Sequence, residues 1–376
     1  MSNTPFSALP WWRSFRSAAR PLREDVSVPA TRRHLLFPTL VILLVLVVII
    51  AVSRGAYPIA PLAVIQVLLA PLGIELDAGA TGQQAAVLWS IRLPRVLLGV
   101  LLGAGLAVAG AMTQGLFRNP LADPGLIGMT GGAALAAAFV IVVGATAIPG
   151  LTKILGGLTL PVAAFCGCLV TTFIIYRLAT TNGATVVSVM LLAGVAVNAM
   201  AAAGIGSFTF IATDEELRTL TFWTMGSLAP ANWGVVAIVA ACVGLACGVG
   251  FMQAAPLNAL ALGEAEAGHL GVPLQRLKLS VIVLSALAVG ALVAFCGMVG
   301  FIGLIAPHGV RLLGGPDHRV VLPGAALLGA ILAVAADTVA RTMVAPAELP
   351  MGILTAFIGA PLFIYLLLRQ RKGVAL

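Results

Sequence analysis

Apolar runs of about twenty residues follow one another along almost the whole chain, with only short polar breaks between them, and no soluble core absorbs such a pattern. Crossing the hydrocarbon layer takes about 20 apolar residues per helix. Transmembrane strands instead alternate in short segments, whereas "LLFPTLVILLVLVVIIAVS" (35–53) and "VVAIVAACVGLACGVGF" (235–251) are continuous. Their backbone hydrogen bonds must therefore close within helices. The composition agrees: 60% hydrophobic and 9% charged residues, with a mean hydropathy of +1.10, lie outside the range of soluble domains. The expected fold class is an all-α polytopic membrane protein.

Clear runs centre on residues 35–53, 96–116, 125–144, 155–176, 186–211, 233–253, 279–297, 320–342 and 350–368. An odd count puts the termini on opposite faces, yet both ends are basic. Arg13, Arg16, Arg20, Arg23, Arg32 and Arg33 precede the first run, and "RQRK" closes the last; positive residues favour the cytoplasm. The missing crossing falls on "GFIGLIAPHGVRLL" (300–313), short but able to cross when packed inside protein. About ten spans with both termini cytoplasmic are therefore expected. That parity also places Arg118, Arg177, Arg276, Lys278, Arg311 and Arg319 inside. The net charge of +8 then follows from topology and anionic lipid, with no nucleic acid implied.

The organisation expected is a basic cytoplasmic tail over 1–33 and a membrane domain over 34–376, with its longest cytoplasmic break at 255–278. The tail's "WWRSFRSAAR" suits the inner membrane surface. The first apolar run exceeds the 7–15 residues of a signal peptide, so it reads as a retained anchor. Cys166, Cys168, Cys242, Cys247 and Cys296 sit in apolar spans without the partners of a zinc site, and His34, His269, His308 and His318 fall near span ends or breaks. No metal site, cofactor or catalytic triad is expected. GxxxxGK[ST] does not occur, so a nucleotide must be hydrolysed elsewhere, and no row of intramembrane acids or histidines marks a proton relay. Gly99 with Gly103, and Gly128 with Gly132, are spaced for close helix contact. A channel, a scaffold and an ATP-driven permease remain.

The stretch "QGLFRNPLADPG" (114–125) ends the second span abruptly. Pro120 and Pro124 donate no backbone hydrogen bond and disfavour helix before them, while Asn119 and Asp123 can cap freed amides. A rigid corner is expected, serving either as a plain turn or as support for a coupling surface. "APLNALALGEAEAGHLGVPLQRLK" (255–278) holds an apolar group, Leu257, Leu260 and Leu262, with Gly263, Gly268 and Gly271 as punctuation and Glu264 and Glu266 as charge; two short helices joined at glycine fit it. Arg92, Arg95 and Arg341 fall on the face where positive residues are disfavoured, through snorkelling or because an acidic partner docks there. At the outer end of the fifth long run, "FIATDEELRTLTFWTMGSLAPANW" (210–233) sets Asp214, Glu215, Glu216 and Arg218 beside Phe222 and Trp223, which fits a short helix across a pore mouth.

Two long segments, "IRLPRVLLGVLLGAGLAVAGAMTQGLFRNPLADPGLIGMTGGAALAA" and "GFIGLIAPHGVRLLGGPDHRVVLPGAALLGAILAVAADTVARTMVAPAELPMGILTAFIGAPLFIYLLL", resemble the FecCD family, permeases of importers for iron-siderophores, haem and cobalamin. The resemblance runs from about residue 40 to 370 and implies the type II ABC importer permease fold in a bacterial inner membrane. It implies a homodimer served by two ATP-binding subunits, which hold ATP and magnesium, and by a periplasmic binding protein. In that frame Leu260, Gly263, Glu264, Glu266, Gly268, His269, Leu270 and Gly271 belong to the loop that enters the ATPase, and Arg92, Arg95 and Arg341 receive acids of the binding protein. "LRTLTFWTMGSL" is most like haem permeases, in which case Arg218 attracts a propionate; the alternative is an arginine paired with the neighbouring acids at a helix end. The fifth and tenth helices face the pathway by the same likeness, giving Ser188, Asn198 and Thr355 as pathway candidates, or else as side chains that satisfy a helix backbone or a neighbouring helix. Iron-siderophore or cobalamin is the alternative cargo, and an uncoupled channel or scaffold the alternative class.

Overall fold

The computed structural model describes residues 30–55, 57–70, 79, 81–344 and 347–374. Most of the tail, residues 1–29, lies outside them, including "WWRSFRSAAR". The described chain is helical almost throughout: α1 (Ala30–Ser53), α2 (Pro61–Leu69), α3 (Gly82–Val87), α4 (Leu93–Phe117), α5 (Met129–Ala147), α6 (Pro149–Leu155), α7 (Thr159–Leu178), α8 (Val187–Ile211), α9 (Asp214–Met225), α10 (Trp233–Met252), α11 (Ala254–Leu262), α12 (Glu264–His269), α13 (Leu274–Cys296), α14 (Ile302–Gly314), α15 (His318–Met343) and α16 (Met351–Val374). The strands are a two-residue pair, β1 (Thr180–Thr181) and β2 (Ala184–Thr185), closing the turn between α7 and α8.

Among the described residues, 8 helical segments are long and apolar enough to cross a membrane, and Ile302–Gly314 and Met351–Tyr365 are shorter apolar helices. Adding the two gives the ten crossings that charge parity requires. Some boundaries differ from expectation. The second crossing begins at Gly82 rather than near 96, because a capping box between Thr81 and Gln84 starts a helix that continues through a π-helical turn (Leu88–Arg92) into α4. The first helix starts at Ala30, within the stretch expected to be tail. The short helix α2 lies in the connection between the first and second crossings.

Apolar side chains gain little by leaving lipid for protein, so helices associate through close backbone approach. Here glycines make that approach. A methyl group on Gly103 of α4 would run into the carbonyl of Gly329 on α15, and one on Gly110 into the carbonyl of Gly303 on α14. Gly132 of α5 meets Thr171 and Gly167 of α7 in the same way. Helix α4 is thereby the buried axis of the bundle, its second half enclosed on all sides. α13 is the next most enclosed long helix.

Contacts fix direction. Leu36 near the start of α1 packs on Gly314 at the end of α14, while Leu257 of α11 reaches Gly115 near the end of α4. All of these lie at one end of the bundle, the hairpin end. Arg92 and Arg341 hold backbone carbonyls of Ala51, Val52 and Ser53 at the opposite end, which is also where α16 begins. The first and last helices therefore start at opposite ends, and the two extremities of the described chain point to the same one, as an even number of crossings demands.

Candidate functional site

The hairpin between α10 and α13 consists of two short helices meeting at Gly263, whose φ of 134° suits glycine. Leu257 and Leu260 are fully buried and fix α11 to the bundle, whereas Leu262 and Leu270 are two-thirds exposed. The expected apolar cluster is thus divided: Leu257 and Leu260 anchor the hairpin, while Leu262 faces outward together with Leu270. Glu266, Gly268 and His269 are exposed on α12, and Gly271 takes φ 80° to turn the chain into α13. Nothing lies within 4 Å of a methyl group added at Gly268, so the chain itself leaves room there.

Two polar joints root this hairpin. Asn258 of α11 donates to Asp317 at 2.6 Å and accepts from the His318 amide at 2.9 Å. The His318 ring lies 2.8 Å from the same Asn258 oxygen, which places its proton on Nδ1. On the other side Lys278 donates to Glu264 and to the Thr185 carbonyl, both at 2.8 Å. Behind the first joint Arg311 donates to Gln114, whose amide donates to Gly303 O at 3.1 Å.

The corner at 118–128 is the hydrogen-bonded turn that its sequence implies, though its caps act locally. Arg118 ends α4 in the left-handed conformation, φ 49°. Asn119 accepts from the Leu121 amide at 2.9 Å, a turn within the corner rather than the start of the next helix. Asp123 accepts from Gly125 at 2.8 Å and opens the short 3-10 turn Pro124–Ile127. Its carboxyl faces a cavity of about 120 Å³ lined also by Thr130, Met298, Gly300 and Phe301, and burial raises its pKa above the ordinary aspartate value. The corner is a support for α8: Asn198 donates to Gly125 O at 2.9 Å, and Gly194 lies against the Leu126 carbonyl.

At the opposite end Arg92, Arg95 and Arg341 do come together, and each has partners inside the chain. Arg92 is 4% exposed and donates to Val52 O (2.5 Å), Ser53 O (3.0 Å) and Tyr57 O. It pins the end of α1. Arg95 forms ion pairs with Asp337 at 2.9 Å and Glu348 at 2.8 Å, and Arg341 lies 3.5 Å from Asp337 while donating to Ala51 O. Hydrogen bonding from Arg95 holds Glu348 below the usual glutamate range. The sequence reading missed both acids. Asp337 was legible as a lone carboxylate inside an apolar span, which needs a partner.

The pathway candidates separate. Arg218 is exposed on α9, a short helix begun by a capping box of Thr213 with Glu216, and among the described residues it makes no ion pair with the neighbouring acids. Ser188 is exposed at the start of α8, and Asn198 is half-buried against the corner. Thr355 is 7% exposed and donates to Gly352 O at 3.1 Å, a bond within its own helix. Phe357 and Ile358 on α16 are exposed instead. Among the described residues all five cysteines are free and no cluster of metal-ligating side chains occurs.

The FecCD transport family model matches residues 43–369. The hemin transport system permease protein HmuU of Yersinia pestis is 47% identical over 283 residues, covering 75% of this chain and 83% of that protein. The cobalamin import system permease protein BtuC of Halobacterium salinarum is 41% identical over 301 residues, 80% of this chain and 78% of its own. A solved chain described as an inward-facing conformation of a metal-chelate type ABC transporter superposes with a TM-score of 0.77 at 32% identity, over 89% of this chain and 99% of that one. With the family model spanning most of its length and relatives of this identity, this multi-pass membrane chain belongs to the FecCD transport family.

Proposed function

We propose that the chain is the membrane-spanning subunit of an ATP-driven importer that carries haem across a bacterial inner membrane. The similarity to the hemin permease across most of the chain carries the cargo assignment. The exposed Arg218 on α9, beside Phe222 and Trp223, supports it: a guanidinium pairs with a propionate while aromatic faces tolerate a flat macrocycle. Two copies form the passage, with the hairpin end in the cytoplasm against two ATP-binding subunits and the arginine end outward. ATP and magnesium bind to those partners. Leu262, Leu270 and the exposed face of α12 enter the ATPase groove, with Gly263 and Gly271 shaping the loop.

A periplasmic binding protein docks at the arginine end. Arg95 and Arg341 serve this role by exchanging Glu348 and Asp337 for acids of the partner, while Arg92 braces α1 behind them. Similarity to cobalamin permeases favours one second reading, the same machine with a corrinoid cargo.

Proteoliposomes holding this chain, its ATPase and its binding protein decide between them by ATP-dependent uptake of haem, a ferric siderophore or cobalamin. Haem uptake that falls in Arg218→Ala supports the proposal. Uptake of cobalamin alone moves the cargo to the second reading, and passive leakage without ATP stimulation overturns the importer.

A further inference from the structure

Lys278 opens the second turn of α13, is 2% exposed, and has no role in the proposed function above. A buried ammonium persists only when paired and hydrogen-bonded, and this one has two partners on different elements. Glu264 Oε2 belongs to α12, and the Thr185 carbonyl belongs to β2, each 2.8 Å away. One turn earlier on the same face of α13, Gln275 accepts from the Thr185 amide at 3.0 Å. Both backbone polar groups of Thr185 are therefore held by α13. Its hydroxyl meets that of Thr180 at 3.0 Å, which closes the β-turn across its own strands. Two residues further on, α8 begins.

We propose that Lys278 is a positioning residue that ties the ATPase-contacting helix α12 to the start of α8, so that displacement of the hairpin moves a pathway helix. This rests on the importer reading above and names the route of its coupling. If α12 shifts alone, it leaves the ammonium in the protein interior without its carboxylate. If it shifts with α13, it draws Thr185 along through two hydrogen bonds. The first course strands a buried charge, so the favoured displacement carries α12, α13 and the base of α8 as one body. Higher up, α8 is held by the corner, through Asn198 on Gly125 O and Gly194 on the Leu126 carbonyl. Traction at its base is thereby turned into a tilt about that contact.

The test uses the complete transporter in proteoliposomes, with the cargo that the wild type transports. Lys278→Met removes the ammonium and keeps the buried apolar stem. Gln275→Ala removes only the amide acceptor and, at a half-buried position, leaves folding undisturbed. Lys278→Arg restores a donor. The readouts are co-purification with the ATPase, ATP hydrolysis, and cargo taken up per ATP hydrolysed.

The expected result is that K278M assembles and hydrolyses ATP while uptake per ATP falls by about 5- to 150-fold, the span of ordinary coupling free energies. Q275A falls in the same direction by less, and K278R recovers part of the loss. Unchanged uptake per ATP in K278M overturns the proposal. If K278M does not assemble, Q275A decides: a normal ratio there overturns it as well. A wild-type transporter that moves no chelate at all refutes the importer reading itself, an outcome separate from these.

Discussion

Replacing Asp337 with asparagine separates structural from docking roles at the arginine end. The Asp337 side chain is 4% exposed, and its partners Arg95 and Arg341 are 13% and 8% exposed. Breaking a buried ion pair from one side costs about 3–5 kcal/mol, because the remaining charge is stranded. Glu348 stays bound to Arg95 at 2.8 Å, so the lower value, about 3 kcal/mol, is expected, a factor of roughly 10² in the folding equilibrium. The assay is reversible unfolding in mixed micelles, followed by tryptophan fluorescence. If the stranded guanidinium is the cause, adding Arg341→Met to Asp337→Asn recovers more than half of the loss, since the unpaired charge goes with it. Binding-protein affinity measured on the same variants reports docking independently: the single variant frees Arg341 and does not weaken association. A change in stability within about 0.5 kcal/mol, the range of an ordinary surface substitution, refutes the reasoning.

Three further outcomes follow from other parts of the structure. Gly268→Leu keeps the fold and membrane insertion, because the chain leaves that position open, and abolishes ATP-coupled uptake; unimpaired uptake removes the coupling role of α12. Gly194→Leu presses on the Leu126 carbonyl and destabilises the α8–corner contact by about 1–3 kcal/mol, as overpacking does, read as the unfolding midpoint against a Gly206→Leu control in open space. The folded-state pKa of Glu348 is depressed by Arg95, so its contribution is present above the unfolded value of 4.5 and is lost as pH falls below it through the folded value. Glu348→Gln therefore flattens the stability profile below pH 4.5, and an identical acid limb in both proteins contradicts the assignment.

The family, the class and the number of crossings were legible in the sequence because the bilayer enforces them. Twenty-residue apolar runs, basic ends and the short run at 300–313 leave one parity, and two prolines beside Asn119 and Asp123 force a corner. Glycine spacing announced the close crossings in part: Gly103 and Gly132 sit at them, since contact at the axis of a membrane bundle requires small residues, whereas Gly128 caps α5 at φ 74° and Gly110 joined the contacts without a spacing signal. Side-chain partnership was not legible, because it depends on which helices become neighbours. Arg92, Arg95 and Arg341 read as outward-facing charges until α1 and α15 bring carbonyls and Asp337 against them. The bond of Thr355 to the Gly352 carbonyl was likewise not legible. Lys278 read as a marker of the inner face, and only the packing of α12 and the β-turn around α13 makes it a joint. Hydropathy acts on each segment separately and survives without a fold; a buried ion pair exists only once distant segments have met.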